Sequence, residues 1–263
     1  MMPDRKKQFT LTELMLVVAV LAIFAGLQLP LWSSVREKAD AASCLEQHKQ
    51  IGVAQALYSG DQAGWLVPAM GAGPAHSDSW VSLLSGVCLD GAPRGSANYG
   101  VVFYGTTLEK NATRGTFACD RETVPFGWPG KGHYYYTHIG ANVYLLGNGS
   151  DPGTGPRLWR KTTAIRRPAD AIVAGDSKLS NSYALTGAYE FAYRHGATDS
   201  RSVAAGNIYK SPVPPGGANL IYADGHAATR TFAELCAVKN PEMKDPVTAA
   251  LQNGFDRKAG VLK

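Results

Sequence analysis

The short motifs of catalysis and metal binding are missing from this 263-residue chain. Its four cysteines, Cys44, Cys88, Cys119 and Cys236, form no C-x-x-C pair, so a zinc site has no spacing support. There is no G-x-S-x-G elbow and no P-loop. The run GAGPAHS at 71–77 lacks the lysine and the strand-to-helix context that a phosphate site needs. No D-x-[DN]-x-[DN]-G loop gathers Asp176, Asp199 or Asp224 for calcium. His133 and His138 fall on opposite faces of a strand-like run and make a poor metal pair. Charge is scarce too, at 18% of residues. The net +5 is scattered in short groups such as Arg5-Lys6-Lys7 and Arg166-Arg167, with no basic block for nucleic acid. Internal repeats and low-complexity tracts are absent. These gaps argue against an enzyme, a cofactor, a metal centre and a nucleic-acid partner.

The chain is instead rich in glycine (29), proline (15) and tyrosine (12), the composition of a body with many turns and enough length to bury its own core. From Phe9 to Trp32 it is apolar apart from small polar groups, Gln28 and one acid, Glu13. As a helix this stretch is long enough to cross a bilayer core of about 30 Å. Arg5, Lys6 and Lys7 precede it, whereas the charges after it are mixed, so the positive-inside rule puts the N-terminus in the cytoplasm and the body outside, in a disulfide-permissive space. A carboxylate inside hydrocarbon costs on the order of 3 kcal/mol, less near the interface. With no partner in its own segment, Glu13 is expected to find one elsewhere.

The run FTLTELMLVVAVLAIFAGLQLP resembles the processing and assembly segment of type IV pilins and type II secretion pseudopilins, which usually begins F-T-L-I-E-L. Phe9, Thr10, Leu11, Glu13 and Leu14 match, Thr12 replaces the common Ile, and Pro30 stands 22nd counted from Phe9. The resemblance implies that a membrane prepilin peptidase cuts between Gln8 and Phe9 and methylates the new amine. Gln8 stands where that family carries glycine. It further implies that Glu13 neutralises the N-terminal amine of an adjacent subunit and sets the filament register.

Residues 33–59 continue the helical period, with Val35, Ala39, Ala42, Leu45, Ala54 and Tyr58 as the predicted inward stripe, a kink at Pro30, and an end at Gly60-Asp61. A short helix is expected around Trp80 to Leu84 and another over 231–238. The run 98–108 reads as a strand or a short apolar helix entry, and further strand-like runs lie at 115–122, 133–145 and 163–177. The segment 218–232 reads as a hairpin turning at Asp224-Gly225. The tyrosines at 134–136, 183, 189 and 193 read as strand core and sheet surface, with a sugar- or partner-binding surface as the alternative.

The head resembles pseudopilin-like proteins of the Planctomycetes–Verrucomicrobia–Lentisphaerae lineages that carry an H-x9-DG element. His195 in YRHG and Asp224-Gly225 in LIYADGHA match its two halves. Here 28 residues separate His195 from Asp224, so the stretch SRSVAAGNIYKSPVPP is expected to be a loop inserted between them. On the residues themselves, Asp224 is a turn residue and His195 a partner for a backbone carbonyl. The resemblance also places Cys44 and Cys119 where that subgroup has its cysteine pair, implying a Cys44–Cys119 bridge and leaving Cys88–Cys236, one of three connectivities.

The expected fold is α+β, a long N-terminal helix, half membrane and half amphipathic, packed on a small antiparallel β-sheet head. The segments are a leader at 1–8, a transmembrane and assembly helix at 9–32, its amphipathic continuation at 33–60 and a head at 61–263. By resemblance the chain is a structural subunit of a type II secretion pseudopilus or type IV pilus-like filament. Its partners would be the prepilin peptidase, other pilin or pseudopilin subunits, the inner-membrane assembly platform and the lipid bilayer. The bacterial inner membrane is its expected place, with the N-terminus cytoplasmic and the head periplasmic until assembly. The alternative is a scarce tip or surface component that binds polysaccharide or protein.

Overall fold

Thr10 starts the first helix as its cap. Its Oγ1 accepts from the Glu13 N–H at 3.4 Å, and Glu13 Oε2 accepts from the Thr10 N–H at 2.9 Å and from Thr10 Oγ1 at 2.8 Å. This is the reciprocal arrangement of a capping box. It corrects the expectation that Glu13 has no partner in its own segment, because Thr10 supplies two donors. Helix α1 then runs Leu11–Asp61 and ends in a turn where Ala63 and Gly64 take positive φ of 52° and 82°.

The structure, a computed structural model, describes residues 10–70, 78–106, 115–127, 133–147, 159–202, 207–238 and 244–257, without the side chains of 25–34 and 207. Gln8 and Phe9 lie outside the described residues, as does the Pro30 side chain. By its contacts the chain divides into two units, Met1–Asp40 and Ala41–Lys263. In the first unit the apolar side chains of α1 are exposed all round, from Leu11 at 75% through Leu16 at 68% to Phe24 at 61%. Among the described residues no helix is long and apolar enough to cross a membrane, so the membrane span read over 9–32 is not shown.

In the second unit α1 buries Cys44, His48, Ile51, Gly52, Gln55, Tyr58 and Ser59, a clean i, i+4, i+7 stripe. Ala54 is buried as predicted alongside Tyr58, but Ala42 is exposed and Leu45 half-buried. In the first unit Val35 and Ala39 are exposed. The real stripe is rotated because its inner face carries His48 and Gln55, which a hydropathy pattern assigns to water.

Among the described residues five strands form one sheet in the order β3-β1-β2-β4-β5: β1 Ile139–Asn142, β2 Ile172–Asp176, β3 Ala184–Leu185, β4 Gly217–Tyr222 and β5 Ala227–Thr231. The sheet is mixed rather than antiparallel, since β3 crosses back to pair parallel with β1 through Ala141 opposite Ala184. The other pairs are antiparallel. Strands β2 and β4 are buried throughout, as central strands covered on both faces are. Alternate residues serve different cores. Val173 and Ile221 pack with Ile51, Ala54 and Tyr58 of α1, whereas Ile172, Leu220 and Tyr222 pack towards Leu235 and Leu251 on the other face. Helix α2, Trp80–Ser85, closes the first core with Trp80 set edge-on to Phe117 at 5.4 Å. Helix α3 is Val143–Leu146, and α4, Phe232–Cys236, and α5, Pro246–Ala249, complete the chain.

In the run 98–108 Val101 and Phe103 are buried and Val102 and Tyr104 exposed, yet its described part forms neither strand nor helix. Nor does 115–122. Val102 exchanges bonds with the backbone and hydroxyl of Thr116 instead of extending a ladder. The hairpin of β4 and β5 turns at Asp224-Gly225, where Gly225 has φ +88° and Asp224 Oδ1 accepts from the His226 N–H at 3.1 Å. This turn docks on α1 at Gly52, where an added Cβ would meet the Gly225 carbonyl oxygen at 3.0 Å and Ile221 Cγ2 at 3.2 Å. Gly52→Val is therefore expected to destabilise the head by about 1–3 kcal/mol through overpacking, whereas exposed Val53→Ala stays within about 0.5 kcal/mol. Urea denaturation followed by circular dichroism checks both.

Candidate functional site

Where the buried stripe of α1 meets the sheet, the core is polar. One turn of helix brings Cys44 and His48 inward. The loop at 115–122 brings Cys119, the end of β2 brings Asp176, and β4 brings Asn219. His195 arrives on the segment paired with the start of β4. Its N–H donates to the Gly217 carbonyl at 3.1 Å and its carbonyl accepts from the Gly217 N–H at 2.7 Å. The His195–Gly217 bridge closes the base of the stretch that the sequence reads as an insertion, and it joins His195 to the strand that leads into Asp224-Gly225.

Asp176 is the centre of the cluster and fully buried. Its Oδ2 accepts from the Asn219 N–H at 2.8 Å and from His195 Nε2 at 3.0 Å, and its Oδ1 lies 3.6 Å from His48 Nε2. The Asn219 amide nitrogen is 3.0 Å from the same His195 nitrogen, and Asn219 Oδ1 accepts from Thr229 Oγ1 at 2.7 Å. His48 donates from Nδ1 to the Cys44 carbonyl at 2.7 Å, and its Nε2 and Asp176 Oδ1 have no hydrogen-bond partner among the described residues. Beside this group, His138 Nδ1 accepts from the Cys119 N–H at 3.0 Å, which fixes the proton on Nε2, donated to the Val124 carbonyl at 2.9 Å. Arg194 pairs with Glu122 at 3.0 Å and donates to the Ser177 carbonyl at 2.7 Å.

These surroundings sort the ionisable groups. Burial opposes the carboxylate of Asp176, but His48, His195 and Arg194 outweigh it and hold the acid well below its usual range. Burial likewise opposes the His195 imidazolium, yet Asp176 and its hydrogen bond lift this histidine to about 9. Burial drives His138 down to about 3, reinforced by Arg194, and lowers His48 against the pull of Asp176. Of the three histidines buried among the described residues, His195 carries charge at neutral pH while His48 and His138 are neutral.

Cys44 and Cys119, both buried, bring their sulfurs to 2.9 Å, with His195 Nε2 3.9 Å from Cys119 Sγ. The contact with Cys44, and then burial, hold the Cys119 thiol well up. All four cysteines are thiols in this structure. The donor atoms of Cys44, Cys119 and His195 lie within 4.8 Å of one another, a set of two sulfurs and one nitrogen suited to a soft metal ion. The same two sulfurs are equally placed for a bond to each other. Cys88 sits instead in the tight turn closed by its N–H to the Ala92 carbonyl, and Cys236 packs in the second core.

His195 departs from its expected role, taking a carboxylate rather than a backbone carbonyl, because its bridge to Gly217 sets it beside β4 and faces it to Asp176. Asp224 is a partly exposed turn residue whose Oδ1 also accepts from His226 Nδ1 at 2.6 Å. His133 is not joined to His138, which is committed on both nitrogens. Asp176, His48 and Asn219 were not read from the sequence as part of a site with His195. The one available signal was helical spacing, since Cys44 and His48 are i and i+4.

The pair His195–Asp176 makes stability depend on pH with a definite sign. His195 is raised from 6.5 to about 9, so its contribution is complete below 6.5 and is lost as pH climbs through 9. Asp176 is lowered from 3.8, so its contribution is complete above 3.8 and is lost as pH falls further. Unfolding free energy should drop by about 3 kcal/mol between pH 6.5 and 9.5. His195→Gln should flatten that alkaline limb while lowering stability at pH 6.5 by about 3 kcal/mol or more. Urea midpoints at four pH values measure both. Comparison with protein-family models, with curated proteins and with solved structures finds no match to this chain.

Proposed function

We propose that the chain is a structural subunit of a type II secretion pseudopilus or type IV pilus-like filament, held in the bacterial inner membrane before assembly with its head on the periplasmic side. The observation that carries this reading is the first unit of α1. From Leu14 to Phe24 its large side chains are apolar and 44–68% exposed on every side of the helix. Such a surface has no stable place in water and calls for lipid or for like helices of neighbouring subunits. The prepilin-like run of Phe9 to Leu14 names the route to both: cleavage before Phe9 by the prepilin peptidase, then transfer by the assembly platform.

Glu13 has two separable tasks in this reading. Its hydrogen bonds to Thr10 begin the helix, and its charge meets the amine of an adjacent subunit. Glu13→Gln keeps an acceptor for the capping box but removes the charge. It should leave membrane insertion and helix content unchanged and abolish filament formation, scored by electron microscopy of sheared material. Filaments at normal density in that variant would overturn the charge-matching role.

Cys44 and Cys119 then act as a strap. A bond between them joins the turn of α1 at Cys44 to the loop at 115–122, within the unit that holds the sheet, and would stabilise it by about 2–4 kcal/mol. Non-reducing peptide mapping is expected to find Cys44 linked to Cys119. Free thiols, or a bound metal that shields them from alkylation, would contradict the strap. The alternative reading, a scarce surface component that captures polysaccharide or protein, is favoured by a cavity at the far edge of the sheet.

A further inference from the structure

That cavity, about 420 Å³, lies against the edge strand β3, between the segment Lys178–Thr186 and the inserted loop. The loop contributes Ile208 and Tyr209, and its base is fixed by a buried ion pair. Arg201 Nη2 meets Asp199 Oδ2 at 2.6 Å and the Phe191 carbonyl at 2.6 Å, and Asp199 accepts from the Tyr193 N–H at 3.0 Å. The insertion is thus held to the body and makes one wall of a concave site.

We propose that this cavity is a binding site for a neutral saccharide. Its size falls within the roughly 300–1,000 Å³ of small-molecule sites and gives room for about one or two pyranose rings. Tyr209 is 60% exposed, and its hydroxyl donates to Glu190 Oε1 at 2.6 Å, so the ring is held in place while its face stays open. A ring fixed in that way suits the C–H face of a sugar. Glu190 is otherwise occupied by the Thr186 N–H and Oγ1 at 2.5 and 2.9 Å, so it braces the wall. Lys178 is 95% buried, and its Nζ has one acceptor among the described residues, the Asp199 carbonyl at 3.2 Å. The ammonium therefore has N–H groups left for hydroxyl oxygens of a ligand, and burying it with that capacity unused is costly. Asn181 adds a planar amide at the rim. The lining carries one charge of each sign, Lys178 and Glu190, so the site selects neither an anion nor a cation.

The assignment deepens the surface-component reading and is independent of filament assembly, because its test reads binding alone. The full chain in a non-glycosidic detergent is examined by saturation-transfer difference NMR with maltose, cellobiose and lactose, and with glucuronate as a charged control. Transfer to at least one disaccharide is expected, with affinity reduced tenfold or more in Tyr209→Ala and less in Tyr209→Phe, which keeps the ring. Asn181→Trp, which fills the rim from an exposed position, should abolish transfer with an unchanged circular dichroism spectrum. No transfer from any of the three disaccharides, equal transfer in wild type and Tyr209→Ala, or tighter binding of glucuronate would each overturn the proposal.

Discussion

A single buried carboxylate organises the head. Asp176 ends the central strand β2 with no access to water, and a charge in that position is tolerable only if other groups replace its hydration. The backbone of β4 and the His195 side chain do so, and the His48 ring of α1 packs 3.6 Å from the other carboxylate oxygen. The register of β4 against β2, the bridge of His195 to Gly217 and the seating of the helix turn at Cys44 and His48 are therefore coupled. Moving any of them strands the same charge. The small contacts fit that constraint. Gly52 lets the Asp224-Gly225 turn lie against the helix one turn beyond His48, and Gly175 leaves room beside Asp176 for Leu220 and Phe191.

The two units of the chain place opposite demands on one helix. The second unit buries a stripe that is polar at Cys44 and His48 and apolar at Ile51 and Tyr58. The first has no buried side among its described residues and is greasy around its circumference from Leu11 to Phe24. A helix of the second kind derives its stability from what surrounds it rather than from its own fold. The Thr10–Glu13 capping box explains how a carboxylate is accommodated at such a helix start. It sits where four N–H groups lack intrahelical partners and the helix dipole favours negative charge. The filament reading adds a second use for the same charge without displacing the first.

Much of the scaffold was legible because its signals are local. The end of α1 at Gly60-Asp61, the helices at Trp80 and Phe232, and the hairpin at Asp224-Gly225 are written in glycines, caps and alternation. The rotation of the α1 stripe was not legible, since His48 and Gln55 face inward for the sake of partners distant in sequence. The parallel pairing of β3 escaped for a related reason. Two residues, Ala184 and Leu185, carry too little pattern to announce a strand, and their partner β1 is found only in three dimensions. Of the site, His195 and the cysteine pair were visible through resemblance. Asp176 was invisible as a hub, because an acid at the end of an apolar run reads as the exposed stop of a strand. Only the long-range pairing of His195 with Gly217 brings that histidine to it.

The account stands on the charge state of that hub, and histidine side-chain NMR reads it directly. With ¹⁵N-labelled histidine, His195 is predicted to give the two equivalent ring-nitrogen shifts of an imidazolium at pH 7 and to titrate near pH 9, while His138 stays neutral with its proton on Nε2. A neutral His195 at pH 7 that titrates at or below 6.5 would mean that Asp176 does not hold it as a charged partner, and would contradict the account.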